Sequence, residues 1–343
     1  MRAVVLHAPR DLRVETRTAP DPTEGMVQVR IEAGGICGSD LHYYQHGGFG
    51  TVRMIEPMIL GHEVAGRVLS TPGDSGLEEG DLVAVSPSRN CGICQYCRAG
   101  LEMHCENMRF YGSAMPVPHI QGAFRDVILA RPDQCHKLPK HLPGTHAACA
   151  EPLAVVLHAL ERAGPLEGRR VLVTGCGPIG ALVLLAAKAA GAAEVVVTDV
   201  MAVALERART MGADRALDAM RTGWNAEFTK GKGCFDVMFE ATGVASAFND
   251  GLACLRPRGV MVMLGLGGEI GFNRNLAIAR EIDLRGSFRF HHAFGDAVAA
   301  IASGRIDVTP ILSGSFPLSK AREAFDLAGD RTQSMKVHLD FST

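Results

Sequence analysis

The stretch GGICGSDLHYYQHGG, residues 34–48, carries a thiol, a hydroxyl, a carboxylate and an imidazole at Cys37, Ser39, Asp40 and His42. Glycines flank these groups and no long apolar run buries them. The segment is either a polar turn with a stray cysteine or part of a site. Further on, CGICQYCRAGLEMHC places Cys91, Cys94, Cys97 and Cys105 in a C-x2-C-x2-C-x7-C pattern. Four thiolates so close can surround one tetrahedral zinc ion at ~2.3 Å per bond, with no position left for substrate. Such a closed site is structural: its binding free energy becomes folding free energy and fixes a lobe at residues 88–108. An iron–sulfur cluster, also held by thiolates, is the rival occupant. His104, beside Cys105, is expected to face solvent.

An open metal site draws its ligands from separate segments. PMILGHEVAG offers His62 and Glu63, and CAEPLAV offers Cys149 and Glu151. Adjacent residues on a regular strand point to opposite faces. His62 and Glu63 therefore reach one metal only if the backbone turns at Gly61, or if one carboxylate binds after a shift and otherwise through water. Glu151 is a competing or alternating ligand, and Cys149 reads as a buried helix thiol.

VLVTGCGPIG matches G-x-G-x-x-G at Gly175, Gly177 and Gly180, between a strand-like run and a helix-like run. The glycines permit a tight turn, close approach of backbone to a pyrophosphate, and tight helix packing. The helix start then presents oriented N–H groups to the phosphates. Asp199 ends the next strand-like run nineteen residues after Gly180. A carboxylate there accepts from a ribose diol and repels a 2′-phosphate, which favours NAD. Arg207 and Arg209 leave NADP open. Pro178 and Ile179 inside the turn, with Thr242 and Leu264 at the ends of two later strand-like runs, complete the candidate cofactor contacts.

The elements that must hold these groups change character along the chain. MRAVVLHA, DLRVETRTA, MVQVRIEAGG and DLVAVSPS alternate like strands between Pro, Gly and Asp, so the first third is β-rich. From about residue 151, EPLAVVLHALERAG has helical spacing and a Gly164 stop. RRVLVTG, PIGALVLLAAKAAG, AEVVVTD and ALERARTMG then alternate strand and helix, which implies a doubly wound parallel sheet. CFDVMFEATG and RGVMVMLG extend it, and the tail LSKAREAFDLAGDRTQSMKVHLDF predicts a helix and a closing strand.

At 343 residues the chain can bury a large core, and its formal net charge of −2 with no basic cluster argues against a nucleic-acid partner. The longest apolar run is broken by Lys188, Gly191 and Glu194, so no membrane span is expected. Ten cysteines without a secretory signal are not a disulfide framework, and a cytoplasmic protein is the expectation. Cys135, Cys234 and Cys254 read as small buried hydrophobes. RGVMVMLG, taken as the outer strand of its sheet, would expose an edge unless paired, which predicts a homodimer or homotetramer.

Taken in order, Cys-x-Ser-Asp-x-His, Gly-His-Glu, the four clustered cysteines and Gly-x-Gly-Pro-x-Gly resemble the zinc-dependent medium-chain alcohol and polyol dehydrogenases over essentially the whole chain. GGICGSDLHYY, EPLAV and REIDLRGSFRF are similar to the sorbitol dehydrogenase branch. MRFYGSAM, LSGSFPLSKAREAFDLAGDRT and KVHLDF are similar to its L-idonate 5-dehydrogenase group. The resemblance implies an α/β chain: a groES-like β-rich catalytic domain at residues 1–152 and 290–343, around an inserted Rossmann domain at 153–289, with the active site in the cleft. It implies Cys37, His62 and Glu63 as ligands of a catalytic zinc, Glu151 beside the metal and its water, and Asp40 orienting the imidazole. Ser39 would take the proton of a secondary alcohol and pass it by way of the cofactor ribose to His42 and solvent.

The implied reaction is oxidation of the C5 alcohol of L-idonate to 5-keto-D-gluconate, with hydride passing to NAD or NADP. A sugar acid carries a carboxylate that a polyol lacks, so a cation should help bind it. Arg289, Arg109 and His119 are the candidates, with Arg289 also reaching the cofactor and Tyr43 lining the pocket unless it is core. The rival substrates are neutral polyols such as sorbitol and xylitol. A non-catalytic dinucleotide-binding protein would have lost Cys37, Ser39, His42, His62 or Glu151, and all are present.

Overall fold

The computed structural model describes residues 1–343. The chain divides into two compact units, Met1–Glu151 with Phe294–Gly304 and Leu312–Thr343, and Pro152–Ala293 with Arg305–Ile311. The short return of Arg305–Ile311 to the second unit is absent from the sequence-based boundaries.

In the first unit the sheet runs in the order Cys135–Leu138, Leu82–Val85, Glu63–Ser70, Val27–Gly35, Lys336–Asp340, Leu312–Pro317, with Val127–Ala130 also pairing Val27–Gly35. Its pairings are antiparallel except that Leu312–Pro317 runs parallel to Lys336–Asp340. The alternation seen in the sequence has a physical target. Val29, Ile31, Val64, Val85, Val337 and Leu339 enter one core with Phe124, Phe325 and Phe341. Phe124 lies 6.3 Å from each of the other two rings. Burying such a side chain contributes roughly 2–3 kcal/mol.

The last strand has two faces. Val337 and Leu339 join the core, while Lys336 and His338 turn the other way and are nevertheless buried. GGICGSDLHYYQHGG begins as the end of the strand Val27–Gly35 and continues as the helix Gly38–His46, which stops where Gly47 takes φ 70°. That left-handed turn suits glycine because it has no Cβ.

The second unit holds a six-stranded parallel sheet in the order Arg215–Asp218, Glu194–Asp199, Arg170–Thr174, Phe235–Glu240, Leu255–Met263, Asp283–Gly286. Val171, Leu172, Val195, Val196 and Val237 are fully buried, as expected for strands covered on both faces. RGVMVMLG is not the edge. Asp283–Gly286 pairs along it in register, so the outer position belongs to a four-residue strand with charged side chains and little alternation. No helix is long and apolar enough to cross a membrane.

Candidate metal and cofactor sites

Cys37, His62 and Glu63 bring one donor atom each within 4.8 Å of one another. The backbone turn demanded by the sequence is present: Gly61 has φ 92°, and a Cβ there would lie 2.1 Å from the Phe124 ring. Asp40 ties the two ligand segments together. Its carboxylate accepts from the N–H of Cys37 and the N–H of Gly61, both at 3.1 Å. His62 Nδ1 lies 3.8 Å from Asp40 Oδ1. Burial pushes the Asp40 carboxyl up, and the neighbouring His62 pulls it back.

Glu63 has a partner that the sequence did not reveal. Lys336 Nζ donates to its two carboxylate oxygens at 2.8 and 2.7 Å and to Ile36 O at 3.2 Å. Burial opposes the lysine's charge, but Glu63 and then Cys37 outweigh it and hold its pKa above the usual lysine range. Burial first, and Glu63 second, push the Cys37 thiol up to about 12. A thiolate there needs a cation as counter-charge, which a divalent metal supplies. Glu151 is buried, and burial pushes it up to about 8, with His62 lowering it and Glu63 and Cys37 raising it. Cys37, His62 and Glu63 supply a sulfur, a nitrogen and a carboxylate oxygen, a donor set that fits zinc.

Ser39 and His42 sit three residues apart on the helix Gly38–His46, hence on one face of it. His42 is exposed; desolvation by its surroundings, then His46, lowers its pKa. Cys149 is fully buried, with its sulfur 3.9 Å from His338 Nε2, and it does not join the ligand group.

Three of the substrate candidates lie elsewhere. Tyr43 is core, 2% exposed, with its hydroxyl accepting from Ala114 N–H. On the strand Arg109–Phe110 it is Phe110 whose ring lies 5.4 Å from that of His62, so Arg109 points to the other face. His119 is buried with both ring nitrogens engaged, Nε2 with Ile55 N–H and Nδ1 with Pro116 O, which leaves neither for a substrate carboxylate. Phe110 and Lys336 are the neighbours that sequence reasoning missed. Strand alternation in KVHLDF sets Lys336 on the face opposite the core residues Val337 and Leu339, and nothing in the spacing links it to Glu63.

The second group of donors is Cys91, Cys94, Cys97 and Cys105, again within 4.8 Å of one another. Four sulfurs around one zinc stand ~3.8 Å apart at the usual bond length. Here Cys94 and Cys97 are separated by 3.5 Å and Cys91 and Cys97 by 4.0 Å. A multi-iron cluster would spread its four thiolates over two or more irons, so that not all of them stand this close. N–H groups of Ile93 and Cys94 lower the Cys91 thiol to about 6, as suits a ligand thiolate. His104 Cα borders this lobe, and its side chain is exposed.

In the second unit the glycine turn joins the strand Arg170–Thr174 to the helix Pro178–Ala189. A Cβ on Gly180 would lie 1.8 Å from Gly175 O, so only glycine permits this approach. Gly177, Pro178 and Ile179 are partly exposed at the helix start, where a phosphate can reach the N–H groups. Asp199 accepts from the N–H of Cys176 and of Met201, which fixes its carboxylate beside the turn. Thr242 is tied by its N–H and hydroxyl to the buried Glu240, and Leu264 donates its N–H to Glu240 O. Arg289 stacks over Phe288 at 5.0 Å with φ 53°, and Arg209 is engaged by Glu206 and Ala216 O.

Residues 23–140 match the alcohol dehydrogenase GroES-like domain, and residues 178–303 match the zinc-binding dehydrogenase family. L-idonate 5-dehydrogenase (NAD(P)(+)) of Escherichia coli K12 is 45% identical over 317 residues, 91% of each chain. This chain is a zinc-dependent medium-chain dehydrogenase. Bovine sorbitol dehydrogenase is 36% identical over 94% of this dehydrogenase and 92% of its own length. The crystal structure of L-idonate 5-dehydrogenase from E. coli superposes with a TM-score of 0.95 at 42% identity, covering 99% of this chain and 97% of that one. The dehydrogenase therefore combines a GroES-like domain with a Rossmann-type parallel sheet, uses zinc and a nicotinamide cofactor, and acts on a small polyol or sugar-acid alcohol.

Proposed function

We propose that this dehydrogenase oxidises the C5 alcohol of L-idonate to 5-keto-D-gluconate, reversibly, with NAD as the preferred acceptor. The observation that carries this reading is the 45% identity to the L-idonate relative, against 36% to the sorbitol relative, over nearly the same span. The preference for NAD rests on Asp199 and on an Arg209 already held by Glu206.

Cys37 and His62 would hold the catalytic zinc, with Glu63 or Glu151 completing its set. When bound, zinc acidifies an alcohol oxygen and the nicotinamide accepts the hydride. Ser39 takes the alcohol proton, and His42, on the same face of its helix, releases it to solvent. Glu151, kept protonated near neutrality by burial, can hold or give a proton beside the ligands. Arg289 supplies the cation for the substrate carboxylate; Arg109 faces away from His62 and does not. The four clustered cysteines hold a second zinc, and the chain assembles as a homo-oligomer through the edge Asp283–Gly286. Its ten free cysteines suit a reducing cytoplasm.

Steady-state kinetics test the reading. We expect kcat/KM for L-idonate to exceed that for sorbitol at least tenfold, and Arg289→Leu to erase most of that ratio. A sorbitol value equal to or above the L-idonate value overturns the sugar-acid assignment in favour of a neutral polyol.

A further inference from the structure

Away from the metal ligands, the first unit contains a recess of about 200 Å³ whose walls include Arg89, Arg109, Arg125, Tyr111, His119 and Gln121. None of Cys37, His62, Glu63 or Glu151 lines it. Three guanidinium groups share this small space. Arg109 and Arg89 stand directly opposite each other on the two-stranded ribbon of Ser88–Arg89 and Arg109–Phe110. Like charges in that relation repel, and a ribbon normally places an opposite charge there.

No carboxylate neutralises the three. None of their side chains forms a salt bridge or a hydrogen bond, and the Nε of Arg125 is sealed from water without a partner. A buried donor left unpaired is costly, and a buried unpaired charge more so. Burial lowers the Arg125 pKa, and the only group acting against this is the Tyr111 hydroxyl. Nearby acids are spent elsewhere: Glu56 accepts from His119 N–H, and Asp133 pairs with Arg131.

The other walls offer donors or are already satisfied. Gln121 has its amide oxygen occupied by Ile59 N–H, so its free end toward a ligand is the NH2 group. Tyr111 donates to Leu129 O. The recess is therefore rich in N–H donors and positive charge and poor in acceptors. Guanidinium forks match planar or tetrahedral oxyanions in bidentate fashion.

We propose that this recess is a binding site for a small oxyanion, a phosphate or a dicarboxylate, held by Arg89, Arg109 and Arg125. It is separate from the substrate reading above and stands whether or not L-idonate is the substrate. Bound there, the anion supplies the counter-charge that the ribbon lacks and steadies the segment that also carries Phe110 beside His62.

The test uses zinc-loaded enzyme saturated with NAD, so that the dinucleotide site is filled. Inorganic phosphate and malonate are titrated separately by calorimetry at constant ionic strength, with sodium chloride as the matched control. We expect saturable binding of at least one of the two, weakened at least tenfold in the double variant Arg89→Gln, Arg109→Gln and in Arg125→Gln. Preference for phosphate or malonate identifies which oxyanion the site takes. Each variant is first shown to melt cooperatively; should Arg125→Gln not fold, the double variant on the exposed ribbon decides. Heats equal to those of chloride overturn the proposal, as does unchanged binding in the double variant. Loss of oligomer mass in the double variant with no anion binding also overturns it, because an acidic side chain of a second copy would then be the occupant.

Discussion

Lys336 and Glu63 meet with their side chains only 2% and 1% exposed. Two buried charges cost several kcal/mol each to desolvate, so the pair holds only while both members are present. Lys336→Met leaves the buried Glu63 carboxyl without its ammonium partner. It should lose about 3–5 kcal/mol in chemical denaturation when zinc is stripped. With zinc bound, the metal takes over as the counter-charge, so the loss should be smaller. Equal losses with and without zinc would show that Glu63 does not sense the metal. The sequence made Cys37, His62 and Asp40 legible because their spacing is local. It could not show Lys336, whose partner lies 273 positions away. Nor could it separate Arg109 from Phe110, because the pair of opposite faces was decided by which of them met His62.

At the scale of elements, the turn at Gly61 sets where His62 points. Gly61→Ala introduces a left-handed alanine and a Cβ inside the Phe124 ring, so a neighbour must move. Strain of this kind costs of order 1–3 kcal/mol. We expect a lower urea midpoint and a fall in bound zinc per chain, measured together. The thiolate lobe answers to a different variant: Cys97→Ser should remove one zinc per chain by metal analysis while leaving dinucleotide binding intact. Long alternating and helical runs were readable because burial repeats along them, as in Val171, Leu172 and Val173. The four-residue strands Arg215–Asp218 and Asp283–Gly286 were not. They carry charges and are too short for a period; the neighbouring strand, rather than their own composition, makes them strands.

At the scale of the whole molecule, stability should fall in mild acid for a traceable reason. His338 is 1% exposed and faces Cys149, and burial, followed by the charges of Lys336 and His146, lowers its pKa to about 3. The unfolded chain protonates this imidazole below about pH 6.5, whereas the folded chain does so only near 3. The unfolded state then binds more protons, so stability decreases as pH falls from 6.5, by up to ~1.4 kcal/mol per pH unit. Between pH 6.5 and 5 the natural chain should lose more unfolding free energy than His338→Leu does. Parallel curves would mean that His338 is not the group responsible.

The final strand has a consequence in time. Cys37 and His62 leave the ribosome early, but the ammonium group that balances Glu63 is synthesised 273 residues after it. At roughly 5–20 residues per second that interval is ~14–55 seconds. Throughout it, a growing chain holds a carboxylate, a thiol and an imidazole with no cationic side chain among them. The Glu63–Lys336 ion pair therefore cannot form before strand Lys336–Asp340 has been made and docked, so this part of the core closes last.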